Sequence, residues 1–368
     1  MTVRHVPALI VGGGPAGAAA ALRLARGGVK AELIERRHGP HDLVCGGFLG
    51  WDALAALEQL GVDARALGAR SITTLRLVTQ RRTVETALPH AAAGLSRRTL
   101  DAALLDAAEA AGVVVRRGVA ARSWQGDRVR LEGEEVEAEA VFLATGKHEL
   151  RGLTRAVPKS RGEGAVGLRT SFRPDAATLA RLSGLIELHP FDGGYAGLLM
   201  QEDGSANLCM SVSAARLRRA GGVDGLLAEL SNEAPGLAPH IAAAGAKWLS
   251  ISNVPYGWRA RETVPGLFRL GDQAAVIASL AGDGIAIALT SGMAAAEAYL
   301  AGRSAPDYQA AFAGRAARPL RVAEGLRWAV ERAGPRRTLV GTAGVAPMLA
   351  RAAARLTRVG EGPVPSGR

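Results

Sequence analysis

The first 35 residues show a hydrophobic pattern that predicts a strand, a turn, a helix and a second strand. Residues 8–11 form a short, wholly apolar run of the kind found in buried parallel strands. Small and apolar residues at 15–26 favour a helix that ends at Gly27, and residues 29–34 return as a strand. This order is typical of a parallel sheet covered by helices.

Later apolar runs first extend that sheet and then begin a different one. A hairpin predicted over 127–139 leads into the apolar run 141–146, which we expect to lie beside the first strand. Residues 71–88 and 165–213 instead read as strands between turn signals, which is typical of an antiparallel sheet. Residues 248–258 are predicted to form the last strand of this second sheet.

Helices are predicted at 51–60, 97–111, 214–246 and 284–300. The chain after residue 302 is predicted to be helical, with breaks at Pro319, Pro335 and Pro347. Together these elements predict an α/β fold of the two-domain α+β kind. It has a Rossmann-like dinucleotide-binding domain, an inserted, mostly antiparallel sheet and a C-terminal helical tail.

The same pattern sets the expected domain boundaries. We expect the first, discontinuous domain to comprise 1–70, 91–160 and 262–302. The inserted domain is expected to bind the substrate and to comprise 71–90 and 161–261, which leaves 303–368 as the helical tail.

Three glycines after the first strand give the pattern a chemical meaning. Gly12, Gly14 and Gly17 have G-x-G-x-x-G spacing, which permits a sharp turn and close approach of the backbone to a pyrophosphate. The helix that follows presents free N–H groups to phosphates. Glu35 comes 18 residues after Gly17, where a carboxylate can accept hydrogen bonds from an adenosine ribose. We therefore expect a dinucleotide site here, not a secretory or membrane segment.

Composition narrows the classes of partner. The 368 residues are 48% hydrophobic, which suits a large core, and the net charge of +11 comes almost wholly from arginine. Only 4% of the residues are aromatic, so we expect no nucleic-acid partner. Cys45 and Cys209 are far apart and no metal-ligand spacing occurs, so we expect a cytoplasmic protein without a disulfide framework or a metal.

Several ordered motifs resemble those of one enzyme family. They are the glycine motif with Glu35, Arg97-x-x-Leu100-Asp101-x-x-Leu104, Ala144-Thr145-Gly146, Gly271-Asp272, and Gly282-Asp283-Gly284-Ile285. Through them, residues 6–300 resemble FAD-dependent oxidoreductases of the hydroxybenzoate hydroxylase fold. The loop Cys45-Gly46-Gly47 and the pair Ser291-Gly292 are most similar to the geranylgeranyl reductase branch.

The resemblance implies FAD as the cofactor and NAD(P)H as a candidate electron donor. It implies that Glu35 binds the adenosine ribose, that Arg97 reaches the pyrophosphate and that Asp272 holds a ribityl hydroxyl, although Asp272 could instead cap a helix. The residues expected to bind the cofactor are Gly12, Gly14, Pro15, Ala16, Gly17, Glu35, Arg36, Cys45, Gly46, Arg97, Ala144, Thr145, Gly146, Gly271, Asp272, Gly282, Gly284 and Ile285.

Three positions depart from the patterns of the related enzymes. Thr145 and Ser279 stand where the aromatic hydroxylases usually carry an aspartate and a proline, which weakens the case for a hydroxylase. The reductase branch often has an aromatic motif where this chain has only residues 194–198, which weakens the case for an isoprenoid substrate.

Three functions stay open on the sequence. The first is a reductase or dehydrogenase that passes a hydride between flavin and a hydrophobic lipid, isoprenoid or polyketide-type substrate. The second is an NAD(P)H-dependent monooxygenase that hydroxylates a phenol, and the third is a flavin-loaded electron carrier without small-molecule turnover. Cys45 is the candidate catalytic residue, with a role either as a proton donor or as a small residue of the pocket wall. Tyr195 and His189 are expected to be packing or strand-edge residues.

The tail carries a further candidate surface. Arg351, Arg355 and Arg358 recur at helical spacing and are expected to share one face. Such a face could bring the protein to an anionic membrane leaflet or to an acidic carrier protein that holds the substrate. The alternative is a solvated basic face on a helix that packs on its own domain through Leu349 and Leu356.

Overall fold

The computed structural model describes residues 2–157 and 164–359 and contains two sheets. Its strands are β1 (Thr2–Val11), β2 (Ala31–Glu35), β3 (Phe48–Leu49), β4 (Arg70–Val78), β5 (Thr83–Gly94), β6 (Val114–Arg117), β7 (Ser123–Gln125), β8 (Arg128–Arg130), β9 (Glu134–Leu143), β10 (Ala165–Phe172), β11 (Leu185–Phe191), β12 (Gly194–Met200), β13 (Ala206–Ser213), β14 (Leu249–Val254) and β15 (Leu267–Arg269). Its helices are α1 (Pro15–Arg26), α2 (Trp51–Gln59), α3 (Arg97–Ala110), α4 (Ala176–Leu182), α5 (Ala214–Arg219), α6 (Val223–Glu233), α7 (Ala238–Ala244), α8 (Gly284–Leu300), α9 (Ala305–Val330), α10 (Ala333–Val345) and α11 (Pro347–Leu356).

The first sheet has the strand order β6-β2-β1-β9-β8-β7, and β15 also pairs with β9. β1 runs parallel to both β2 and β9, with Ile10 opposite Leu33 on one side and opposite Phe142 on the other. The predicted pairing of the first apolar run with the run at 141–146 is therefore confirmed. Because parallel strands end at the same edge of a sheet, the segments that follow β1, β9 and β15 meet at one edge.

The second sheet has the order β14-β10-β13-β12-β11-β4-β5-β3. Its neighbours are antiparallel except for β11 and β4, which run parallel. The strands predicted within 71–88, 165–213 and 248–258 all belong to this sheet, which confirms the predicted fold class. The exact domain boundaries stay a prediction.

Small residues let α1 and α8 pack closely against each other over the first sheet. A Cβ on Gly292 of α8 would lie 2.2 Å from the carbonyl oxygen of Ala16 in α1, so the helices approach more closely than any larger residue allows. Beside it, the hydroxyl oxygen of Ser291 accepts the N–H of Gly271 at 2.8 Å. These contacts fix the turn after β15 relative to the start of α1.

The helical tail differs from the prediction at one proline. α9 runs without a break through Pro319, so the predicted break there is wrong. Tyr308 and Phe312 of this helix are buried in the core beside the first sheet, and we attribute the unbroken helix to such packing, which offsets the roughly 3 kcal/mol cost of an internal proline. Pro335 and Pro347 lie in the first turns of α10 and α11, where a missing N–H removes no helical hydrogen bond.

Within residues 2–157 and 164–359, no helix combines the length and apolar character needed to cross a membrane.

Candidate active site between the two sheets

A cavity of about 400 Å³ lies where the parallel strands end, between the first and second sheets. Residues from six separate motifs of the sequence meet in its wall. The predicted cofactor-binding residues that line it are Gly14, Pro15, Ala16, Cys45, Gly46, Arg97, Ala144, Gly146, Gly271, Asp272, Gly282, Gly284 and Ile285. The fold thus brings most of the predicted set to one place.

Gly12 and Gly17 do not line the cavity but shape the turn beside it. Gly12 has a φ of +111°, and a Cβ on it would lie 2.5 Å from the carbonyl oxygen of Ala144. A Cβ on Gly17 would lie 1.9 Å from the carbonyl oxygen of Gly12. Both positions therefore require glycine, and they hold the start of α1 close to the strand ends.

Glu35 lies at the end of β2, also outside the cavity lining. One carboxylate oxygen accepts the N–H of Gly13 at 2.8 Å, and the other accepts the N–H of Arg37 at 2.9 Å. These bonds hold the carboxylate beside the glycine turn. A carboxylate oxygen has a second lone pair, so each can still accept a ribose hydroxyl.

Arg36 and Thr145 meet at His148 and do not line the cavity. A guanidinium nitrogen of Arg36 lies 2.7 Å from Nε2 of His148, and the Thr145 hydroxyl donates to the His148 carbonyl oxygen at 2.7 Å. Burial and then the charge of Arg36 lower the pKa of His148, so the neutral ring can accept the guanidinium hydrogen bond. These contacts order the loop that follows β9.

The start of α1 presents backbone N–H groups beside the cavity. Its N-cap residue, Gly14, has no side chain to bond them, and the first turn carries no acidic residue. A Cβ on Gly14 would lie 3.2 Å from a guanidinium nitrogen of Arg97. Two hydrogen bonds of 2.7 Å to Asp101 hold that guanidinium in place. A helix start beside a guanidinium is a favourable site for a pyrophosphate.

Lys147 is a site residue that the sequence analysis missed, although it directly follows the Thr145-Gly146 motif. Its Nζ lies 3.0 Å from a carboxylate oxygen of Asp272, and both residues line the cavity. The charge of Asp272 raises the pKa of Lys147, so the lysine stays protonated. Asp272 lies inside the short 3-10 turn Gly271–Gln273, whose N-cap is Leu270, and the N-cap of α8 is Asp283, so the alternative role of Asp272 as a helix cap is wrong.

Both cysteines line the cavity. The sulfur of Cys45 accepts the N–H of Gly47 at 3.4 Å, and the side chain of Asn207 donates to the Cys45 carbonyl oxygen at 3.1 Å. Asn207 belongs to β13, so this bond ties the glycine loop to the second sheet. Cys209 follows two residues later on the same face of β13. Burial raises the pKa of Cys209 to about 12, so its thiol stays protonated at neutral pH.

Four hydroxyl groups form a connected cluster at the cavity. Tyr195 of β12 and Tyr256 both hydrogen bond to the side-chain oxygen of Ser279, the latter at 2.7 Å. Ser211 of β13 donates to the Tyr256 hydroxyl at 3.3 Å. Tyr195 is buried, as expected of a packing residue, yet it also lines the cavity. In the sequence, Ser279 stands out only as a departure from a family pattern.

The remaining wall of the cavity is mainly apolar, and its apolar residues come from two sources. The second sheet and its connections contribute Leu75, Leu77, Leu88, Ile186, Leu188, Leu199, Met210, Ile251 and Val254. The helical tail contributes Leu326, Val330, Leu339, Leu349, Ala350, Ala353 and Ala354. The tail is therefore a part of the site, which the sequence did not indicate.

Residues 5–152 match a family model described as an FAD binding domain. This stretch is an FAD-binding domain and makes up the N-terminal part of the chain. The predicted cofactor, FAD, is confirmed by this match.

Two curated relatives of this flavoprotein match shorter stretches. A stretch of 55 residues is 51% identical to 3-hydroxybenzoate 6-hydroxylase of Klebsiella oxytoca and covers 15% of this chain and 14% of that enzyme. A stretch of 121 residues is 34% identical to the chloroplastic geranylgeranyl diphosphate reductase of Nicotiana tabacum and covers 32% of this chain and 25% of the reductase. The matched stretches thus span a quarter or less of either relative.

Solved structures resemble the flavoprotein over nearly its whole length. The flavin-dependent brominase Bmp2 superposes with a TM-score of 0.77 at 15% identity, over 97% of this chain and 94% of the brominase. A geranylgeranyl bacteriochlorophyll reductase-like protein of Thermoplasma acidophilum gives a TM-score of 0.71 at 20% identity, over 96% of this chain and 100% of that protein. At these identities the likeness establishes the shared fold.

The residues present fit FAD. The lack of a side chain at Gly14, the uncapped start of α1 and the adjacent Arg97 suit a pyrophosphate, and Glu35 beside the turn suits the adenosine ribose. We propose that these groups hold the ADP half, and that Asp272 and the Gly282–Ile285 motif hold the flavin half. Bound FAD would supply two-electron transfer chemistry that side chains cannot.

Arg358 is buried, so the expected basic face of the tail is wrong at this position. Its guanidinium lies 3.0 Å from Asp283 and 3.6 Å from Asp52, and 4.2 Å from the centre of the Trp51 ring. Burial and then the charge of Asp52 raise the pKa of Asp283 well above its usual range. Arg358 thus fastens the end of the tail to the segment that begins α8.

Arg351 and Arg355 remain exposed, and apolar side chains lie near them. Val345 is 84% exposed and Met348 77% exposed, and both lie close to Leu349, which lines the cavity. This end of the tail therefore exposes apolar and basic side chains next to a residue of the cavity wall.

A separate buried cluster has the composition of a metal site. The candidate ligand atoms of Glu187, His189 and His240 lie within 4.8 Å of one another. Arg76 donates to Glu187 at 3.0 Å, and a guanidinium nitrogen of Arg181 lies 2.8 Å from Nε2 of His240. Two adjacent guanidinium groups oppose a bound cation, so we interpret the cluster as an ionic network that packs β11.

Proposed function

We propose that the protein is an FAD-dependent reductase or dehydrogenase acting on a hydrophobic substrate of the lipid, isoprenoid or polyketide type. The observation that carries the proposal is the division of one cavity into a glycine-lined half and an apolar half. An apolar wall favours an apolar ligand because each Å² removed from water contributes about 25 cal/mol. NAD(P)H is the proposed electron donor.

Cys45 lies where the two halves meet and is the proposed proton donor to the substrate. The side chain of Asn207 holds the loop through the Gly46 carbonyl oxygen at 2.7 Å, and the N–H of Gly47 within the loop donates to the Cys45 sulfur. Cys45→Ser should slow turnover of substrate more than it slows reduction of the flavin, as rapid-mixing measurements of the two half-reactions would show. Equal slowing of both would reduce Cys45 to a residue of the wall.

A monooxygenase that hydroxylates a phenol is the second candidate. It is favoured by the 55-residue match to 3-hydroxybenzoate 6-hydroxylase. Against it stands Thr145, whose hydroxyl is bonded to the carbonyl oxygen of His148 where the aromatic hydroxylases usually have an aspartate. An electron carrier without small-molecule turnover is the third candidate. The apolar wall speaks against it, because an electron carrier needs no cavity for an apolar substrate.

We propose an anionic lipid surface as the partner of the exposed end of the tail. Val345 and Met348 can enter the lipid while Arg351 and Arg355 meet its charge. At about 1 kcal/mol for each arginine, two arginines give weak attachment that salt removes. The protein should therefore cosediment with vesicles containing phosphatidylserine at low salt only. Binding to an acidic carrier protein but not to vesicles would select the other partner.

The function is tested with enzyme reduced in the absence of oxygen. A panel of unsaturated isoprenoid and polyketide-type compounds is added, and the flavin absorbance is followed. If the protein is a reductase, one equivalent of its substrate reoxidises the flavin. The product then has two more hydrogen atoms than the substrate. Reoxidation that needs oxygen, with labelled oxygen found in the product, would instead select the monooxygenase. Reoxidation only by a partner protein would select the carrier.

A further inference from the structure

Ser279 presents a hydroxyl group to the cavity where its apolar half meets its cofactor half. It lines the cavity and is exposed, in the short turn Ser279–Ala281 that directly precedes Gly282. In a pocket with mainly apolar walls, a few placed polar groups fix how a ligand is oriented. The direction in which this hydroxyl donates its proton therefore matters for the choice of substrate.

Two phenol groups hydrogen bond to the oxygen of Ser279. Tyr195 and Tyr256 both lie within hydrogen-bond distance of it. A phenol is a far stronger acid than an alcohol, so we assign the phenols as the donors. Ser211 donates to the oxygen of Tyr256, which agrees with Tyr256 acting as the donor to Ser279. Burial raises the pKa of both tyrosines, so both keep their protons.

A serine hydroxyl has two lone pairs and one proton. With both lone pairs of Ser279 occupied by phenols, its own proton is free for an acceptor, and the exposed side of Ser279 faces the cavity. Linked hydroxyl groups polarise one another, so each bond in the series strengthens the next. Ser279 is therefore a stronger donor than a serine on its own.

We infer that Ser279 donates a hydrogen bond to an oxygen atom of the substrate, and that the substrate is a hydrophobic molecule with a carbonyl or similar acceptor oxygen at the reacting end. The reaction assigned to that molecule rests on the proposed function. The binding of the oxygen rests on the hydroxyl cluster alone.

The charge changes of a reduction fit such a contact. Reduction of a double bond conjugated to a carbonyl takes two electrons from the reduced flavin and two protons. The electrons reach the β carbon together with one proton, and the second proton reaches the α carbon. Between these additions the carbonyl oxygen carries the negative charge, where a placed donor stabilises it. An isolated double bond has no atom to use this donor.

The test compares two ligands of the same shape on the FAD-loaded protein. The probes are 2-acetylnaphthalene, a ketone, and 2-isopropenylnaphthalene, an alkene that has a methylene group in place of the carbonyl oxygen. Their affinities are measured by calorimetry. The ratio of the ketone affinity to the alkene affinity should fall about tenfold in Ser279→Ala, the loss expected for one hydrogen bond to a polarised donor. Ser279→Thr, which keeps the hydroxyl, should retain most of the ratio.

Thr342→Val is the matched control, because it removes a different hydroxyl group from the cavity wall. The same ratio in the wild type, Ser279→Ala and Thr342→Val would overturn the inference. If Ser279→Ala does not fold, Tyr256→Phe removes one of the two donors and should lower the ratio by a smaller factor; an unchanged ratio there also overturns it. If the ratio falls in Ser279→Ala but the enzyme reduces none of the compounds tested, the proposed reaction is rejected. The inferred hydrogen bond from Ser279 to a ligand oxygen would still stand.

Discussion

The two halves of the cavity are built in different ways. The cofactor half depends mainly on glycines within a few residues of a strand end, whose space is set by neighbouring backbone, as Gly12 and Gly17 show. The apolar half depends on side chains from six strands and three tail helices that are far apart in sequence. The first half is thus a property of local turns, whereas the second exists only once the whole chain has folded.

The cofactor site and the substrate site therefore have different physical requirements. Pyrophosphate binding needs backbone N–H groups and room, which a short motif can encode. An apolar pocket needs only residues of suitable size at suitable places, which many sequences satisfy. Substitutions in the two halves should therefore have separable effects, and each of the following experiments tests that separation.

The largest effect is expected from Gly14→Val. A Cβ at position 14 would lie 3.2 Å from a guanidinium nitrogen of Arg97. The valine side chain would therefore fill the space between the start of α1 and Arg97 and exclude the pyrophosphate. FAD binding should be abolished while the folded state persists, as cofactor release and circular dichroism would show. Gly39→Val is the control, because a Cβ there meets nothing within 4 Å and residue 39 does not line the cavity. Full FAD occupancy in Gly14→Val would refute the assignment of this half.

The next effect concerns the link between the halves. Arg358→Met leaves Asp283 and Asp52 buried without their cation, which should lower the free energy of unfolding by about 3–5 kcal/mol in denaturant titrations. Arg355→Met removes an exposed arginine from α11, three residues before Arg358, and should change the free energy of unfolding by less than about 0.5 kcal/mol. Equal losses in the two variants would mean that Arg358 does not fasten the tail.

A substitution in the tail should affect the apolar half alone. Ala353→Trp places a large ring in the cavity wall and should weaken binding of a hydrophobic ligand by at least tenfold, or about 1.4 kcal/mol, with FAD affinity unchanged. Ala352→Trp puts the same ring on the exposed side of the helix and should leave both affinities alone. Parallel loss of FAD in Ala353→Trp would show that the halves are not separable.

The fold and the cofactor half follow largely from sequence, because apolar periodicity and glycine spacing act over short distances. The pairing of β1 with β9, the extent of α8 and the convergence of Gly14, Arg97 and Asp272 were all predictable in this way. The unbroken helix at Pro319 was not, because core packing decides it.

The tail and the hydroxyl cluster could not be predicted for a similar reason. Arg358 looks like a surface arginine until Asp283 and Asp52 are brought beside it from elsewhere in the chain. Tyr195 and Ser279 are 84 residues apart, and no periodic pattern links them. Contacts of this kind arise only from tertiary structure.

The smallest expected effect is a change in pH dependence. The pKa of Asp283 is raised in the folded protein above its unfolded value of about 3.9, so the folded state binds the extra proton between the two values. The stability from that proton is fully present below the unfolded pKa and is lost as pH rises through the folded pKa. Asp283→Asn has no such proton to lose. The free energy of unfolding of Asp283→Asn minus that of the wild type should therefore increase as pH rises. An increase of this difference as pH falls would contradict the assignment.

The most direct test of the account is a single-turnover experiment on two proteins that bind FAD equally. Wild type and Ala353→Trp are reduced without oxygen and mixed with the unsaturated hydrophobic compound that reoxidises the wild type best. The account predicts oxygen-independent reoxidation in the wild type and its loss at the same compound concentration in Ala353→Trp, which lacks room in the apolar half. Equal reoxidation of both proteins, or reoxidation only after oxygen is admitted, would contradict it.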